Sequence, residues 1–317
     1  MRDAPVAARS ARPRQDAAGT PDRRPATASV IVTTCNEGDR LQATVDALLE
    51  TLPETAQLVV VDDGSTDGST DPLVSLAAPV RLLRTPRRLG ITGARNLGAA
   101  AATGDVLVFS DAHVDPRPGW LEALLDALRP ATVGMVAPVV TDLERHQDKG
   151  YGFSWEDPSM TMRWLAADGA ADPYPVPFLC GCFLAVRRRV FEEVGGFDEG
   201  LRGWGSEDAE LCLRLWSLGL ECRVVPDAEI AHLFRPAFPY EVDWASTMHN
   251  RLRLSTVHLG QRALEVVVAH HAGFPAFGES WARLMVSDVW AQRDHVRAIR
   301  RFDGDWFIDR FGIDALR

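Results

Sequence analysis

The sequence predicts an α/β fold with a mostly parallel central sheet and helices on both of its faces. Short apolar runs alternate with segments of helical spacing up to about residue 130, the pattern of strands joined by crossover helices. Several of these runs end in polar residues, as strands do when their carboxyl ends form a ligand site. The 317 residues leave room for one large α/β domain and an appendage.

The first predicted strand lies at Val30 to Val32, whose β-branched side chains suit a buried parallel strand. Asp39, with Gln42 three residues on, predicts the N-cap of the helix that follows. Two further strands are predicted in QLVVVDD and VRLLRT because both runs are short and rich in β-branched or apolar residues.

The later elements follow the same alternation. Gly104 is predicted to stop a helix of small residues, because glycine readily ends helices. Two segments after Gly260 show apolar stripes at helical spacing, which pack either in a core or against a second copy, or else form an acceptor-binding wall. These elements are the helix GITGARNLGAAAATG, the strand DVLVFSDAH, the helix PGWLEALLDAL, and the C-terminal helical segments RALEVVVAHHAG and RLMVSDVWAQRDHVRAIRRF.

Composition narrows the class of protein. The formal net charge of −10 argues against a nucleic-acid-binding protein. No run approaches the roughly 18 apolar residues of a membrane span, and the N-terminus lacks the apolar core of a signal peptide. An odd number of cysteines without a disulfide framework is typical of a reducing compartment, so we expect a cytoplasmic protein. The cysteines are Cys35, Cys180, Cys182, Cys212 and Cys222.

Asp111 and His113 stand two residues apart just past a predicted strand. Both could reach one divalent cation, although a turn-capping Asp111 beside a solvated His113 fits the pair equally well. No G-x-G-x-x-G follows the first strand, which disfavours a dinucleotide-dependent oxidoreductase. A metal bound to a diphosphate needs only one or two carboxylates, so acids at strand ends favour a site for a nucleotide and a metal.

The second half carries a further set of polar residues. Ser206 is predicted to cap a helix that Gly219 ends, and the loop Gly203-Trp204-Gly205 before it suits closure on a sugar. The acids Glu207, Asp208 and Glu210 in the first turn of this helix either stabilise its N-terminus or do chemistry. His232 follows another strand and is either structural or a metal ligand.

Five segments in order resemble family 2 glycosyltransferases of the GT-A fold, and most closely the catalytic domains of polypeptide N-acetylgalactosaminyltransferases. The resemblance covers roughly residues 28 to 258 and implies a UDP-sugar donor with Mn²⁺ or Mg²⁺. The segments are SVIVTTCNE, VVVDDGSTD, GARNLGAAAATGDVLVFSDAH, GWGSED and HLFRPAFPY.

The resemblance also implies roles for individual residues. Asp111, His113 and His232 match the metal ligands of the family. The remaining matches lie at the donor site. Thr33 and Asp63 match positions that hold the uridine, Arg88 one near the nucleotide, Arg95 one near the sugar, Trp204 a loop aromatic that covers the donor, and Arg235 and Tyr240 groups that bind the diphosphate. Glu37, at the first strand end, is assigned to the same donor site.

One position departs from the family. Where the resembling retaining transferases have Glu-Asn, this chain has Glu207-Asp208, a form that looks more like inverting enzymes with a GWGGED motif. An acceptor hydroxyl must lose a proton, and a carboxylate on the far side of the sugar can accept it. Asp208 is the predicted base, beside Glu207, and the predicted transfer proceeds with inversion.

The predicted domain organisation follows from these assignments. Residues 1–28, rich in Ala, Arg and Pro, are expected to be a disordered tail or a docking arm. Residues 29–258 form the glycosyltransferase domain, with a nucleotide-binding half at 29–130 and an acceptor and catalytic half at 131–258. Residues 259–317 form a helical extension.

Some alternatives stay open at this stage. The acceptor is a hydroxyl on a small molecule, a glycan or a peptide, and a homodimer is possible. A non-catalytic module that binds a nucleotide sugar is the main rival to an enzyme. Cys180-Gly-Cys182 could bind zinc or form a redox couple, but no second pair has the expected spacing, so packing cysteines are favoured.

Overall fold

A computed structural model describes residues 26–76, 78–145, 148–235 and 238–317. Most of the predicted tail, residues 1–25, lies outside the described residues. The first strand begins at Ala28, the last residue assigned to that tail. No helix within the described ranges is both long and apolar enough to cross a bilayer.

A ten-stranded sheet forms the centre of the described chain, and a separate two-stranded sheet joins β8 and β9. The main sheet runs in the order β10-β12-β6-β11-β4-β1-β2-β3, with β5 on β12 and β7 on β6. The strands are β1 (Ala28–Thr34), β2 (Gln57–Asp62), β3 (Val80–Arg84), β4 (Val106–Asp111), β5 (Val114–Pro116), β6 (Val133–Asp142), β7 (Lys149–Gly150), β8 (Phe153–Trp155), β9 (Met162–Trp164), β10 (Tyr174–Pro175), β11 (Phe183–Arg187) and β12 (Glu221–His232).

Helices cover both faces of the sheet. Alternate residues of each strand point to opposite faces, so Val30 and Val32 pack with α1 and α3, whereas Ile31 packs with α2, α5 and the C-terminal helices. The helices are α1 (Asp39–Thr51), α2 (Gly90–Ala101), α3 (Trp120–Ala127), α4 (Arg188–Glu193), α5 (Glu207–Ser217), α6 (Trp244–His258), α7 (Gln261–His271), α8 (Phe277–Met285), α9 (Val289–Ile299) and α10 (Gly304–Phe311). Two short 3₁₀ turns lie at Asp71–Ser75 and Asp314–Leu316.

The strand directions bring several carboxyl ends to one edge. Strands β3, β2, β1 and β4 are mutually parallel, and Thr33 lies beside Asp111. Strand β11 is antiparallel to both β4 and β6, and β12 is parallel to β6, so β12 runs in the same direction as β4. His232 therefore ends β12 at the same edge, paired with Val114 just after His113. The predicted mostly parallel α/β fold is confirmed.

Local capping differs from the prediction at two helices. Gly38, and not Asp39, occupies the N-cap of α1, and Asp39 is the first helical residue. Ser206 does occupy the N-cap of α5, but in a left-handed conformation in which its side chain makes no capping hydrogen bond. Helix α5 ends before Gly219, which is left-handed as predicted. The Asp39 cap prediction was wrong, and Ser206 holds the predicted N-cap position without a side-chain bond, because backbone geometry set by the neighbouring loops decides where a side chain can reach.

The predicted second C-terminal helical segment is two helices, α8 and α9, separated after Met285. Together with α7 they enclose α6, which is buried along nearly its whole length. Arg253 of α6 is fully buried and donates hydrogen bonds to Asp198 at 2.7 and 2.9 Å and to Asp288 at 2.7 Å. Phe307 of α10 packs on Phe178 with ring centroids 5.3 Å apart. The C-terminal helices thus share a hydrophobic core with residues 131–258.

Removing residues 260–317 should therefore prevent stable folding. The truncation would uncover the apolar side of α6, and each large apolar side chain exposed costs about 1.5–3 kcal/mol against a total stability of about 5–15 kcal/mol. Circular dichroism and thermal melting of the truncated chain, compared with the full chain, measure the loss. A cooperatively folded truncated protein that binds donor but lacks transfer would instead support an acceptor wall in this region.

Candidate active site

A cavity of about 860 Å³ opens at the carboxyl edge of the sheet. It is lined by strand ends on one side and by α5, α6 and the loops before them on the other. Every site residue predicted from the sequence lines this cavity. These residues are Thr33, Glu37, Asp63, Arg88, Arg95, Asp111, His113, Trp204, Glu207, Asp208, His232, Arg235 and Tyr240. The structure brings them together, while their individual roles stay predictions.

Asp111, His113 and His232 offer ligand atoms that all lie within 4.8 Å of one another. Asp111 Oδ2 is 3.3 Å from His232 Nε2, and the two imidazole ring centroids are 4.7 Å apart. A carboxylate with two imidazoles is a donor set that first-row divalent ions accept. Burial raises the pKa of Asp111, but His232 and the charge of Arg95 outweigh it and lower this pKa, so the carboxylate is ionised. The residues fit a divalent metal.

Glu37 lies behind the triad. Its Oε2 is 3.3 Å from His113 Nδ1, and the same oxygen accepts a hydrogen bond from Arg235. Burial raises the pKa of Glu37, yet these two neighbours lower it overall. An ionised Glu37 can orient His113 and hold Arg235 at the cavity wall, as carboxylates next to metal-site histidines commonly do.

Arg95 joins the metal triad to the acids of α5. Its side chain is only 1% exposed and donates to Asp111 Oδ1 at 3.2 Å, to Glu207 Oε1 at 3.1 Å and to the Gly181 carbonyl at 2.6 Å. One guanidinium therefore fixes two carboxylates that are distant in the sequence. Its fork geometry suits this task better than a lysine would.

Glu207 and Asp208 begin α5 at the cavity wall. Burial, and next the charge of Asp208, raise the pKa of Glu207 to about 7. Burial also raises the pKa of Asp208, although backbone N–H groups of Ala209 and Gly181 partly offset this. Gly181 is the missed residue here, because a Cβ on it would lie 3.1–3.2 Å from both acids. The Cys-Gly-Cys sequence drew attention to its cysteines, whereas the glycine is what makes room for the acids.

The predicted nucleotide end is built around Asp63. Its carboxylate accepts hydrogen bonds from the backbone N–H groups of Leu89 at 2.6 Å and Gly90 at 2.9 Å. The loop held in this way carries Arg88, whose guanidinium lies 4.5 Å from the ring centroid of Tyr240. Thr33 Oγ1 is buried with no hydrogen-bond partner among the described residues, so it is available to a ligand.

The Trp204 loop is held by α6. Asn250 donates to the carbonyls of Arg202 at 2.8 Å and Gly205 at 2.9 Å and accepts from the Arg202 N–H at 2.8 Å. Trp204 packs edge-on against Phe238, with ring centroids 4.7 Å apart, and remains 38% exposed. Sequence analysis missed Asn250 and Phe238. No local signal marks Asn250, because α6 carries many other polar residues, among them His249 and Arg253.

The cysteines do not form a second site in the described structure. All five are free thiols, and none belongs to the cluster of metal-ligand side chains found among the described residues. Cys182 is buried, and burial raises its pKa well above the ordinary value, so it is an inert thiol. The packing interpretation of these residues agrees with their surroundings.

Residues 29–195 match the family described as Glycosyl transferase family 2. The chain belongs to this family. Residues 161–236 of this glycosyltransferase also match a domain described as the N-terminal domain of galactosyltransferase. The matched ranges contain the triad and the two acids of α5.

Polypeptide N-acetylgalactosaminyltransferases are among the curated relatives. The glycosyltransferase is 31% identical over 307 residues to number 10 of Rattus norvegicus, covering 90% of this chain and 49% of the relative. It is 32% identical over 238 residues to polypeptide N-acetylgalactosaminyltransferase 4 of Mus musculus, and the match covers 68% of this chain and 41% of the relative. The chain thus spans about half the length of the relatives it matches.

Solved structures confirm the GT-A fold. GalNAc-T7 with UDP, GalNAc and Mn²⁺ superposes with a TM-score of 0.75 at 24% identity, covering 92% of this chain and 58% of that one. S. aureus TarS with UDP-GlcNAc superposes with a TM-score of 0.59 at 16% identity, covering 91% of this chain and 90% of TarS. A mannosyltransferase from Pyrobaculum calidifontis with GDP-Man and Mn²⁺ gives 0.51 at 19% identity, covering 93% and 82%.

Proposed function

We propose that this glycosyltransferase moves an N-acetylhexosamine or hexose from a UDP-sugar to a hydroxyl acceptor, with Mn²⁺ as cofactor. The observation that carries the proposal is the convergence of Asp111, His113 and His232 at the sheet edge, in one cavity with the predicted donor residues. The Mn²⁺, UDP and UDP-GlcNAc of the similar structures support the cofactor and the nucleotide.

The triad would hold the cation, with Glu37 and Arg95 orienting two of its members. When bound, a divalent cation stabilises the negative charge of the departing diphosphate. Arg235, paired with Glu37, and Arg88, stacked on Tyr240, present positive charge at the same end of the cavity. Trp204, on a loop between two left-handed glycines, can cover the donor and exclude water.

Turnover tests the enzymatic proposal against a non-catalytic sugar-nucleotide-binding module. The purified chain would be incubated with Mn²⁺ and UDP-GalNAc, UDP-GlcNAc, UDP-galactose or UDP-glucose, together with a mixed pool of hydroxyl acceptors. Mass spectrometry should detect a product heavier by one sugar, along with released UDP. If the protein binds a donor but neither forms a product nor hydrolyses any of the four donors, the binding module is favoured.

UDP affinity should fall by about tenfold in Asp63→Ala, measured by calorimetry with Mn²⁺ present. The carboxylate holds the Arg88 loop, and a strand-end carboxylate can also accept from a base N–H or a ribose hydroxyl. Asp63→Asn keeps one acceptor oxygen, so its UDP affinity should lie between that of the unmodified protein and that of Asp63→Ala. The exposed Asp294→Ala serves as a control with unchanged affinity. Equal binding of UDP, GDP and CDP by the unmodified protein would contradict the uridine assignment.

Inversion with Asp208 as the base is our proposal for the stereochemistry. Asp208 lines the cavity in the first turn of α5, and burial raises its pKa, which makes its carboxylate a stronger base. Retention is the alternative, and the sequence identity to polypeptide N-acetylgalactosaminyltransferases favours it. In a retaining transfer the departing diphosphate can take the acceptor proton, so no base is required on the opposite face.

The acceptor class, a cytoplasmic location and a homodimer remain proposals that the sequence analysis raised. A small molecule, a glycan and a peptide all provide the hydroxyl that the chemistry needs. The relatives' names point to polypeptide acceptors for those proteins. Size-exclusion chromatography with light scattering would decide the oligomeric state.

A further inference from the structure

One face of α6 borders the cavity beyond the acids. Thr247, Arg251 and Ser255 lie four residues apart and so share one side of the helix. Thr247 Cγ2 is 3.8 Å from the position of a Cβ on Gly205, beside the Trp204 loop. Ser255 Oγ is 3.9 Å from Met160 Sδ. Arg251 therefore lies between the Trp204 loop and Met160, where it lines the cavity.

The guanidinium of Arg251 has an incomplete environment. The structure shows neither a hydrogen bond nor an ion pair from it to any other described residue. Burial lowers the pKa of Arg251, and the charge of Asp157 offsets this only in part. Arginine stays charged in proteins, and none of the Arg251 guanidinium nitrogens is a fully buried, unpaired atom, so water reaches them. An anion brought by a ligand would replace that water with charge-assisted hydrogen bonds.

The other cavity arginines are differently placed. Arg95 is ion-paired with Asp111 and Glu207, and Arg235 with Glu37. Arg88 stacks on Tyr240 near the predicted nucleotide. Arg251 thus offers a positive charge that no described ion pair or aromatic ring takes up.

The cavity wall at β8 and β9, which Ser255 of α6 contacts through Met160, is mostly apolar. Aromatic and thioether groups line this end of the cavity, and Met162 is 41% exposed there. Such a wall suits the apolar face of a ring and leaves Arg251 as its cationic group. The apolar lining comprises Phe153, Trp155, Met160 and Met162.

We propose that Arg251 binds an anionic group, a carboxylate or a phosphate, on the acceptor. The acceptor class is then a hydroxyl compound that carries negative charge next to an apolar or ring-shaped body. A planar guanidinium binds either oxyanion with two parallel hydrogen bonds. This inference rests on the proposed function, because it assigns the acceptor side of the same cavity.

Matched probes test the inference on the full chain saturated with UDP and Mn²⁺, which occupies the donor site. The carboxylate arm compares 4-nitrophenyl glucuronide with 4-nitrophenyl glucoside, and the phosphate arm compares glucose 6-phosphate with glucose. Calorimetry should show the charged member of at least one pair binding about tenfold tighter, the usual effect of one charge-assisted contact. The arm with the larger preference identifies the anion.

Arg251→Gln should abolish that preference, while Arg251→Lys should keep most of it. Arg262→Gln removes an exposed charge outside the cavity and should leave the preference unchanged. Thermal melting checks that both Arg251 variants fold. Equal affinity within both pairs, binding of no charged probe, or an intact preference in Arg251→Gln would overturn the inference.

UDP binding separates this inference from the proposed function. UDP should bind the unmodified protein and Arg251→Gln equally well in the presence of Mn²⁺. Intact UDP binding with no anion preference defeats only the acceptor inference. Absent UDP binding defeats the proposed donor, and the probe comparison is then made on the nucleotide-free protein, where the Arg251→Gln result still decides.

Discussion

Asp111→Ala should lower sugar transfer by about 10³-fold, since it removes the one carboxylate of the metal triad and a charge that Arg95 pairs with. Calorimetric titration with Mn²⁺ should show a parallel loss of metal affinity. Asp115→Ala, four residues on and outside the cavity, is the matched control and should retain activity. Asp111→Asn keeps the shape of the side chain, so a similar loss of transfer in this variant would show that misfolding is not the cause.

Chelation provides the second arm of this test. Excess EDTA should stop transfer by the unmodified enzyme, and Mn²⁺ should restore it. His113→Ala and His232→Ala should each weaken Mn²⁺ binding, because each removes one of the imidazole ligands. Full activity of the Asp111→Ala enzyme in excess chelator would exclude this metal site.

Asp208→Asn should lower the catalytic rate by about 10²–10⁴, the usual contribution of a positioned base, while donor affinity stays nearly constant. Asparagine preserves a carbonyl oxygen that can still accept from the Gly181 N–H, so the local backbone should hold. Asp305→Asn changes a first-turn acid of α10 outside the cavity and serves as the control. Steady-state kinetics with a saturating donor measure the effect.

The pH profile adds a readout that a structural role would not produce. Burial raises the pKa of Asp208, so the carboxylate becomes protonated, and transfer slows, at a higher pH than an exposed aspartate would require. In Asp208→Asn this acidic limb should shift to lower pH and not vanish, because Glu207, whose pKa the Asp208 charge helps to raise, still titrates in the same site. Proton NMR of the product decides the stereochemistry: an α-linked product from an α-linked UDP-sugar, with an active Asp208→Asn enzyme, would establish retention.

The chemical character of the site could be predicted from residues that are close in the sequence. Asp111 ends one strand and His113 follows it closely, and the acids of α5 follow a glycine-rich aromatic loop. Strand direction then places such residues at one sheet edge, because parallel strands end on the same side. For this reason the predicted site residues all line one cavity.

Contacts between distant segments could not be predicted in the same way. Arg95 reaches Glu207 across 112 positions, and Asn250 holds the Trp204 loop across 45 to 48 positions. A local pattern contains no information on which guanidinium or amide will meet which backbone group. For a related reason Gly38 replaces Asp39 as the cap of α1, and Ser206 caps α5 without a side-chain hydrogen bond, since loop geometry overrode local preference.

Amino-acid patterns alone were enough to predict the alternation of strands and helices, the acids and histidines at strand ends, and thereby the class of chemistry. Hydrophobic periodicity and residue type carry that information locally. Three other features emerge only once the chain is folded: α6 is enclosed by the C-terminal helices, Gly181 makes room for the acids, and Arg251 faces the cavity without a described partner. These features depend on packing between segments far apart in the chain, where burial and distance, and not sequence spacing, set each side chain's surroundings.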